Sequence, residues 1–360
     1  SPLDGSQAAT ALVPAGGRIG LFQLANPTDV VYFQYFAGGA RQLSVVPLAG
    51  GTPLPLHPPP PAGQGPGDFL LHPDGQRVLF RGDNDAAGVY ELYVVPLDAS
   101  SPPTKLNAPM PASAYVLQYS VTPDAAHAVY RAGPSFGGVV KLFRTPLDAS
   151  APPFQLNEVV PSSTILGDVE SVHVTPDSGT LVYRADQESD EHFDLYALDT
   201  SAPGTPVQLS AGLPTVRPDL ALSPLNDRVV FVAQGAQHSL RTAAFADGTS
   251  VELDASSQGF VAAWQFSVDG ARVVYRRTIS GTNTELRSVA LDGLSPPVVL
   301  HAPLPAGRTV SQFEVSATDV VVFLSDNPEV KPSQGHDQSE LGSSEAGECA
   351  TQVRVGNSVL

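Results

Sequence analysis

At 360 residues with 42% hydrophobic side chains, the chain can bury a substantial core, and its 32 glycines and 35 prolines recur as turn residues between short strands. Acidic residues outnumber basic ones 36 to 19, for a formal net charge of −17, and the lysines are only Lys105, Lys141 and Lys331; this composition excludes a basic surface for nucleic acid. A single cysteine, Cys349, excludes an intrachain disulfide framework and a multi-cysteine metal site, and no apolar run approaches the ~18 residues of a membrane-spanning helix.

The first residues, Ser1-Pro2-Leu3-Asp4-Gly5-Ser6, copy the Pro-Leu-Asp that recurs at Pro96-Leu97-Asp98 and Pro146-Leu147-Asp148. Residues 1–13 are therefore expected to form a strand belonging to the last unit of a repeat. A start at Ser1 without methionine fits a removed signal peptide or a trimmed precursor, so export to the periplasm or the exterior is expected. Abundant Ala, Pro and Arg with few Lys point to a GC-rich bacterial genome.

From residue 18 to 324 one unit repeats. Its clearest copy starts with Phe69-Leu70-Leu71-His72-Pro73-Asp74-Gly75, a strand ending in a Pro-Asp-Gly turn. Arg77-Val78-Leu79-Phe80-Arg81, then Tyr90 to Asp98, then Pro103-Thr104-Lys105-Leu106 supply three more strands. The same order follows from Val121-Thr122-Pro123-Asp124, from Val174-Thr175-Pro176-Asp177 and from Phe266-Ser267-Val268-Asp269-Gly270, with weaker copies in phase over 18–56 and 217–253. An aromatic closing a β-branched pair marks every second strand, at Tyr32, Phe80, Tyr130, Tyr183, Phe231, Tyr275 and Phe323, 44 to 53 residues apart. Periods of this length made of short strands predict an all-β, seven-bladed β-propeller of four-stranded antiparallel blades. Helical periodicity is absent.

These units resemble the TolB-like, or WD40-like PD40, propeller repeats of bacteria. The resemblance is carried by Thr122-Pro123-Asp124, Thr175-Pro176-Asp177 and His72-Pro73-Asp74-Gly75, each followed by Val-Tyr-Arg or Leu-Phe-Arg, and by the later Asp194-Leu195-Tyr196 and Glu91-Leu92-Tyr93. It covers residues 18–325 and implies the propeller fold.

The last aromatic, Phe323, lacks a fourth strand at the usual distance, while the first fourth-strand leucine, Leu12, lacks a blade before it. A single domain over 1–360 is therefore expected, its ring closed by residues 1–13 joining the seventh blade. Residues 325–350 would form a long polar insertion loop, and residues 351–360 the final strand of that blade. Insertion of the N-terminal segment into a neighbouring molecule is the competing arrangement. The insertion loop carries His336 and Asp337 and ends beside Cys349, making these three the expected partner contacts if it is ordered.

Asp and Arg stand seven residues apart at Asp74/Arg81, Asp124/Arg131, Asp177/Arg184 and Asp269/Arg276, and the other three repeats lose both together. That coupling predicts structural ion pairs between the two types, within a blade or between neighbours. Asp83 and Asp85 in one loop, and Asp186 and Asp190 in the equivalent loop two repeats on, are oxygen-rich candidates for Ca²⁺, although neither loop has a full calcium-ligand spacing. No other cofactor is expected. Trp264 falls in register with Phe69 and Tyr119, a core-packing position between blades.

The eight histidines form no H-E-x-x-H pair, and no G-x-S-x-G elbow occurs. The sequence therefore reads best as a non-enzymatic, exported binding or scaffold propeller. It would present loops to a protein or a cell-surface polymer, with self-assembly on a cell surface as an option. The alternative is a hydrolase or lyase acting on glycans or peptides through carboxylates at the channel mouth.

Overall fold

The computed structural model describes residues 11–13, 18–110, 114–134, 139–157, 168–189, 191–200, 204–256, 261–280, 283–304, 309–326 and 349–354. Within them the chain is almost wholly β, with the seven-blade count of a β-propeller. The sole helical segment among the described residues is a 3-10 turn at Ala37–Gly39.

Each sheet is antiparallel and built from consecutive strands. The first holds β1 (Arg18–Asn26), β2 (Asp29–Tyr35), β3 (Arg41–Pro47) and β4 (Leu54–Pro55). The second holds β5 (Pro66–Leu71), β6 (Arg77–Gly82), β7 (Glu91–Pro96) and β8 (Thr104–Lys105). The third holds β9 (Ala114–Val121), β10 (His127–Pro134), β11 (Lys141–Pro146) and β12 (Phe154–Gln155). The fourth holds β13 (Val169–Val174), β14 (Thr180–Ala185), β15 (Asp194–Asp199) and β16 (Val207–Gln208). The fifth holds β17 (Val216–Leu222), β18 (Arg228–Gln234), β19 (His238–Ala244) and β20 (Ser250–Ser256). The sixth holds β21 (Val261–Phe266), β22 (Arg272–Ser280), β23 (Asn283–Ala290) and β24 (Val298–Val299). Among the described residues the seventh has three strands, β25 (Thr309–Val315), β26 (Val320–Asp326) and β27 (Cys349–Arg354). β27 pairs with β26 from Val320↔Arg354 to Ser325↔Cys349, so its pairing begins two residues before the 351–360 segment read as a strand. Of the expected closing strand, residues 1–13, residues 1–10 lie outside the described residues and residues 11–13 are not in a strand.

The chain forms two compact units, Ser1–Glu170 with Asp186–Asp190, and Ser171–Ala185 with Glu191–Leu360. In the first, Val31, Phe33, Leu43 and Val45 of the first sheet pack on Phe69, Val78, Phe80, Tyr93 and Val95 of the second. Leu79, Leu92 and Val94 on the second sheet's other face pack on Ala128 and Tyr130 of the third. In the second unit, the fourth sheet packs on the fifth, the fifth on the sixth and the sixth on the seventh in the same manner. Period-2 alternation in the second and third strands places one apolar set on each face, so an interior sheet is buried on both. Val78, Leu79 and Phe80 are successive and fully buried for this reason. Each such side chain contributes about 1.5–3 kcal/mol of burial.

The repeated aromatics have a further task. Phe80 stacks on Tyr93, Tyr130 on Phe143 and Tyr183 on Tyr196, with ring centroids 5.1, 5.1 and 5.2 Å apart. Each is a directly opposed cross-strand pair, the arrangement in which neighbouring strands gain most from their side chains.

The hairpin between first and second strands turns on one left-handed residue in six of the sheets: Gly75, Ala125, Ser178, Asn226, Gly270 and Asp319, with φ from 57° to 68°. Thr122 Oγ1 shows why the turn closes: it donates to Asp124 Oδ1 at 2.5 Å and accepts from His127 N at 3.1 Å. Asp124 Oδ1 in turn accepts from Ala126 N. Thr175 with Asp177, and Ser267 with Asp269, repeat this network.

Candidate functional site

The arginines of the second strands define how the first strands are presented. Arg81 donates from Nη1 to Val116 O and Leu117 O of the third sheet, at 3.1 and 2.6 Å, and pairs with Asp68 at 2.5 Å. Arg131 donates to Val169 O at 2.6 Å and Arg184 to Val216 O at 2.7 Å. Arg276 donates to Val310 O at 3.4 Å and also to Ser311 O.

Each reaches forward to the first strand of the next sheet, and for Arg81, Arg184 and Arg276 the contact lies close to a break in that strand's ladder. The pairing register shifts between Gln118 and Val116, after Val216, and between Val310 and Gln312. A bulge leaves carbonyls without ladder partners, and a charged N–H supplies them. Where the arginine is replaced by Phe33, the ring packs edge-on against Phe69 of the next sheet, 6.2 Å between centroids. Gly20 is required beside it, since a Cβ there would lie 2.1 Å from the Phe33 ring.

An arginine–aspartate pair within one blade forms at Arg81, but its partner is Asp68 and not Asp74 seven residues earlier. Asp74 caps its turn and bonds Arg77 at 3.0 Å, whereas Arg81 takes Asp68. Asp124, Asp177 and Asp269 likewise serve their turns while Arg131, Arg184 and Arg276 serve the following sheet. Chain geometry explains the division: the turn aspartate sits at the end of the hairpin, and the arginine lies near the far end of the strand that leaves it.

Of the candidate calcium ligands, Asp83 is buried and accepts from Gly65 N at 2.9 Å, Gly88 N at 3.2 Å and Arg41 Nη2 at 3.3 Å. Asp186 accepts from Asp168 N at 2.6 Å, and Asp168 Oδ1 accepts from Val140 N at 2.7 Å. These carboxylates tie the end of the second strand to the start of the first. Asp85 pairs with Lys105 at 2.8 Å, and Lys105 also bonds Glu91 at 2.7 Å. Among the described residues no group of three or more His, Cys, Asp or Glu is placed to share a metal ion. Asp190, His336 and Asp337 lie outside the described residues, and Cys349 is described through its backbone in β27.

Sequence reasoning missed a second repeated device. In five sheets the residue after the fourth-strand leucine supplies an acceptor to an N–H at the start of the third strand. Leu43 N bonds His57 Nε2 at 2.9 Å, Leu92 N bonds Asn107 Oδ1 at 2.7 Å, and Leu142 N bonds Asn157 Oδ1 at 2.8 Å. Leu195 N bonds Ser210 Oγ at 2.9 Å and Leu286 N bonds His301 Nε2 at 3.1 Å. His57 is therefore a neutral acceptor whose Nδ1–H donates to Pro58 O at 2.8 Å. Burial pushes its pKa below the ordinary imidazole range, against a smaller opposing effect of the Pro58 bond.

Two open surfaces depart from the repeated pattern. On the first sheet, Phe22 and Leu24 are 68% and 65% exposed on β1, an edge strand of its sheet. In five of the other sheets the register position of Phe22 is held by a residue that packs into a core cluster: Phe69, Tyr119, Leu220, Trp264 and Phe313.

The second surface, within the second unit, is an open cleft of about 610 Å³ at the first strands of the sixth and seventh sheets. Trp264 and Phe313 give it aromatic walls, and Gln265, Gln312, Glu314 and Arg276 give it polar groups. Trp264 keeps the core-packing register expected of it and also borders this cleft. Gln265 ties the two strands together: its Oε1 accepts from Val315 N at 2.8 Å and its Nε2 donates to Glu314 at 3.2 Å. Second and third strands thus repeat nearly the same packing chemistry from sheet to sheet, while the exposed first-strand positions differ, which is where a site can be individual.

No family model and no curated protein matches the chain. Among solved structures it is similar to a prolyl endopeptidase, at 15% identity over 86% of this chain and 46% of that one, with a TM-score of 0.49. It is similar to TolB from Acinetobacter baumannii at 16% identity over 74% of this chain and 62% of that one, TM-score 0.35. A puromycin-hydrolyzing peptidase of Mycobacterium tuberculosis matches at 16% identity over 90% of this chain and 52% of that one, TM-score 0.44. The chain thus spans about half the length of the peptidases it matches. At these identities and TM-scores the likeness is one of fold alone; the propeller blades are the chain's own seven sheets.

Proposed function

We propose that the protein is a non-enzymatic binding or scaffold propeller, exported from a bacterial cell, that presents its surface to a protein or a cell-surface polymer. The observation that carries this reading is the cleft. It combines aromatic walls, two amides and an arginine with one carboxylate, Glu314, among its lining residues. Those groups recognise a ligand; acid–base cleavage of a glycan uses two carboxylates about 5–10 Å apart. In the test, a cell-envelope fraction of the native bacterium is passed over the immobilised chain and over a Gln312→Arg variant, which fills the cleft from an exposed position. The reading predicts a component that the first retains and the second releases. Turnover of glycan or peptide substrates that Glu314→Gln abolishes would replace it with the hydrolase or lyase alternative. Export is tested by fractionating those cells.

A second reading, self-assembly, is favoured by Phe22 and Leu24, because exposed apolar side chains on an edge strand are a template for another chain. Light scattering on the native particle tests it: assemblies that a Phe22→Ser variant disperses support it, and a monomer at all concentrations removes it.

A further inference from the structure

The forward-reaching arginines differ in what stands across the ladder from them. Asp68 is the partner of Arg81 and forms an ion pair with it. Gln118 is the partner of Arg131 and accepts from its Nε at 3.1 Å. The partner of Arg276 is Ala262, whose side chain accepts nothing. Arg276 commits Nη1 to Val310 O and Ser311 O, and among the described residues it has no ion pair and no partner for Nε or Nη2. Arg276 lines the cleft.

A guanidinium fixed by two carbonyls, with further donors unused, is organised in advance for an anion, and a planar carboxylate fits its fork. Trp264 and Phe313 offer apolar surface in the same cleft. We propose that this cleft binds a carboxylate flanked by apolar groups, as in an acidic peptide segment or a free peptide C-terminus, with Arg276 as its anchor. The inference rests on the reading of the cleft as a binding surface and adds the chemistry of the ligand. Glu314, in the same cleft, opposes an anion; loss of its charge strengthens binding.

Trp264 is the only tryptophan of the chain, so its fluorescence reports on the cleft. The full chain is titrated with three sets of tryptophan-free heptapeptides of Phe, Leu and Ala. One set is amidated with a central Asp, one is amidated with Asn in its place, and one has Asn and a free C-terminus. The expected result is a saturable change with either or both carboxylate sets, and binding at least about tenfold weaker for the amidated Asn set. The set that binds distinguishes an internal acidic residue from a chain end. Glu314→Gln tightens binding severalfold.

Because Arg276→Gln also loosens the seventh sheet, the decisive variant is Ala262→Asp. It gives Arg276 the partner that Asp68 gives Arg81, so the fold persists by circular dichroism while the carboxylate preference disappears. Equal affinity for the amidated Asp and Asn sets and the free C-terminus overturns the carboxylate inference and leaves the cleft as a binding surface. No saturable change with any set overturns both.

Discussion

His57 shows how one side chain sets a pH limit on this fold. Its ring must be neutral at Nε2 to accept Leu43 N–H, and burial holds its folded pKa below the usual value near 6.5. The unfolded chain takes up the proton first, so the contribution of His57 is complete above about pH 6.5 and declines as pH falls below it. Thermal midpoints recorded from pH 7.5 down to 4.5 should show this slope. His57→Asn, which imitates Asn107, should keep most of the stability and flatten it. The carboxyls of Asp124, Asp177 and Asp269 act in a lower window. Hydroxyl bonds from Thr122, Thr175 and Ser267, with turn N–H groups, hold them below the usual carboxylate range, so their contribution is lost only as pH falls below about 4. Asp254 is a different case: it is buried, bonded by Tyr275 OH at 2.5 Å and paired with Arg277 and Arg287. Asp254→Ala strands a nearly buried guanidinium and should cost about 3–5 kcal/mol in denaturant unfolding.

At the scale of the element, turn and latch give separate predictions. Gly270 has φ +68°, and a Cβ there would lie 2.9 Å from Leu225 Cγ. Gly270→Ala should therefore destabilise by about 1–2 kcal/mol, while Ala125→Gly, at φ +58° in the same kind of turn, should be neutral or stabilising. Arg131→Met removes the donor to Val169 O and should cost about 1.5–3 kcal/mol, read as a lower denaturant midpoint. These elements were unequally legible in the sequence. Strands and turns were plain because Pro-Asp-Gly and β-branched-aromatic pairs act through local geometry. The arginine's partner was not, since a main-chain carbonyl leaves no mark in the residue types of the strand that offers it. The coupled loss of Asp and Arg suggested a direct bond, whereas Asp74 and Arg81 serve two ends of one strand. The third-strand acceptor did leave a signal: His57, Asn107, Asn157, Ser210 and His301 all follow the recurrent leucine, and all carry an acceptor atom. The cleft could not be read, because it depends on Arg276 facing Ala262 across a bulged ladder.

For the whole molecule, a formal charge of −17 means that like charges oppose the compact state. Raising sodium chloride from low ionic strength to about 0.5 M shortens the screening length to a few ångströms, and the thermal midpoint at pH 7 should rise. A fall would mean that attractive pairs such as Arg81–Asp68 outweigh the net repulsion.

The forward reach of the arginines also gives the array a direction in time. Each sheet is made of consecutive strands, so it can form as the chain emerges, but Arg81 finds Val116 and Leu117 only when the next sheet's first strand follows. A nascent end that stops after the second, third, fourth or sixth sheet therefore carries a cation waiting for a sheet that has not yet been made, whereas the opposite end has only carbonyls waiting, which water satisfies cheaply. Shortening the chain from its C-terminal side should thus leave a stickier, less stable product than shortening it from the N-terminal side by the same number of sheets.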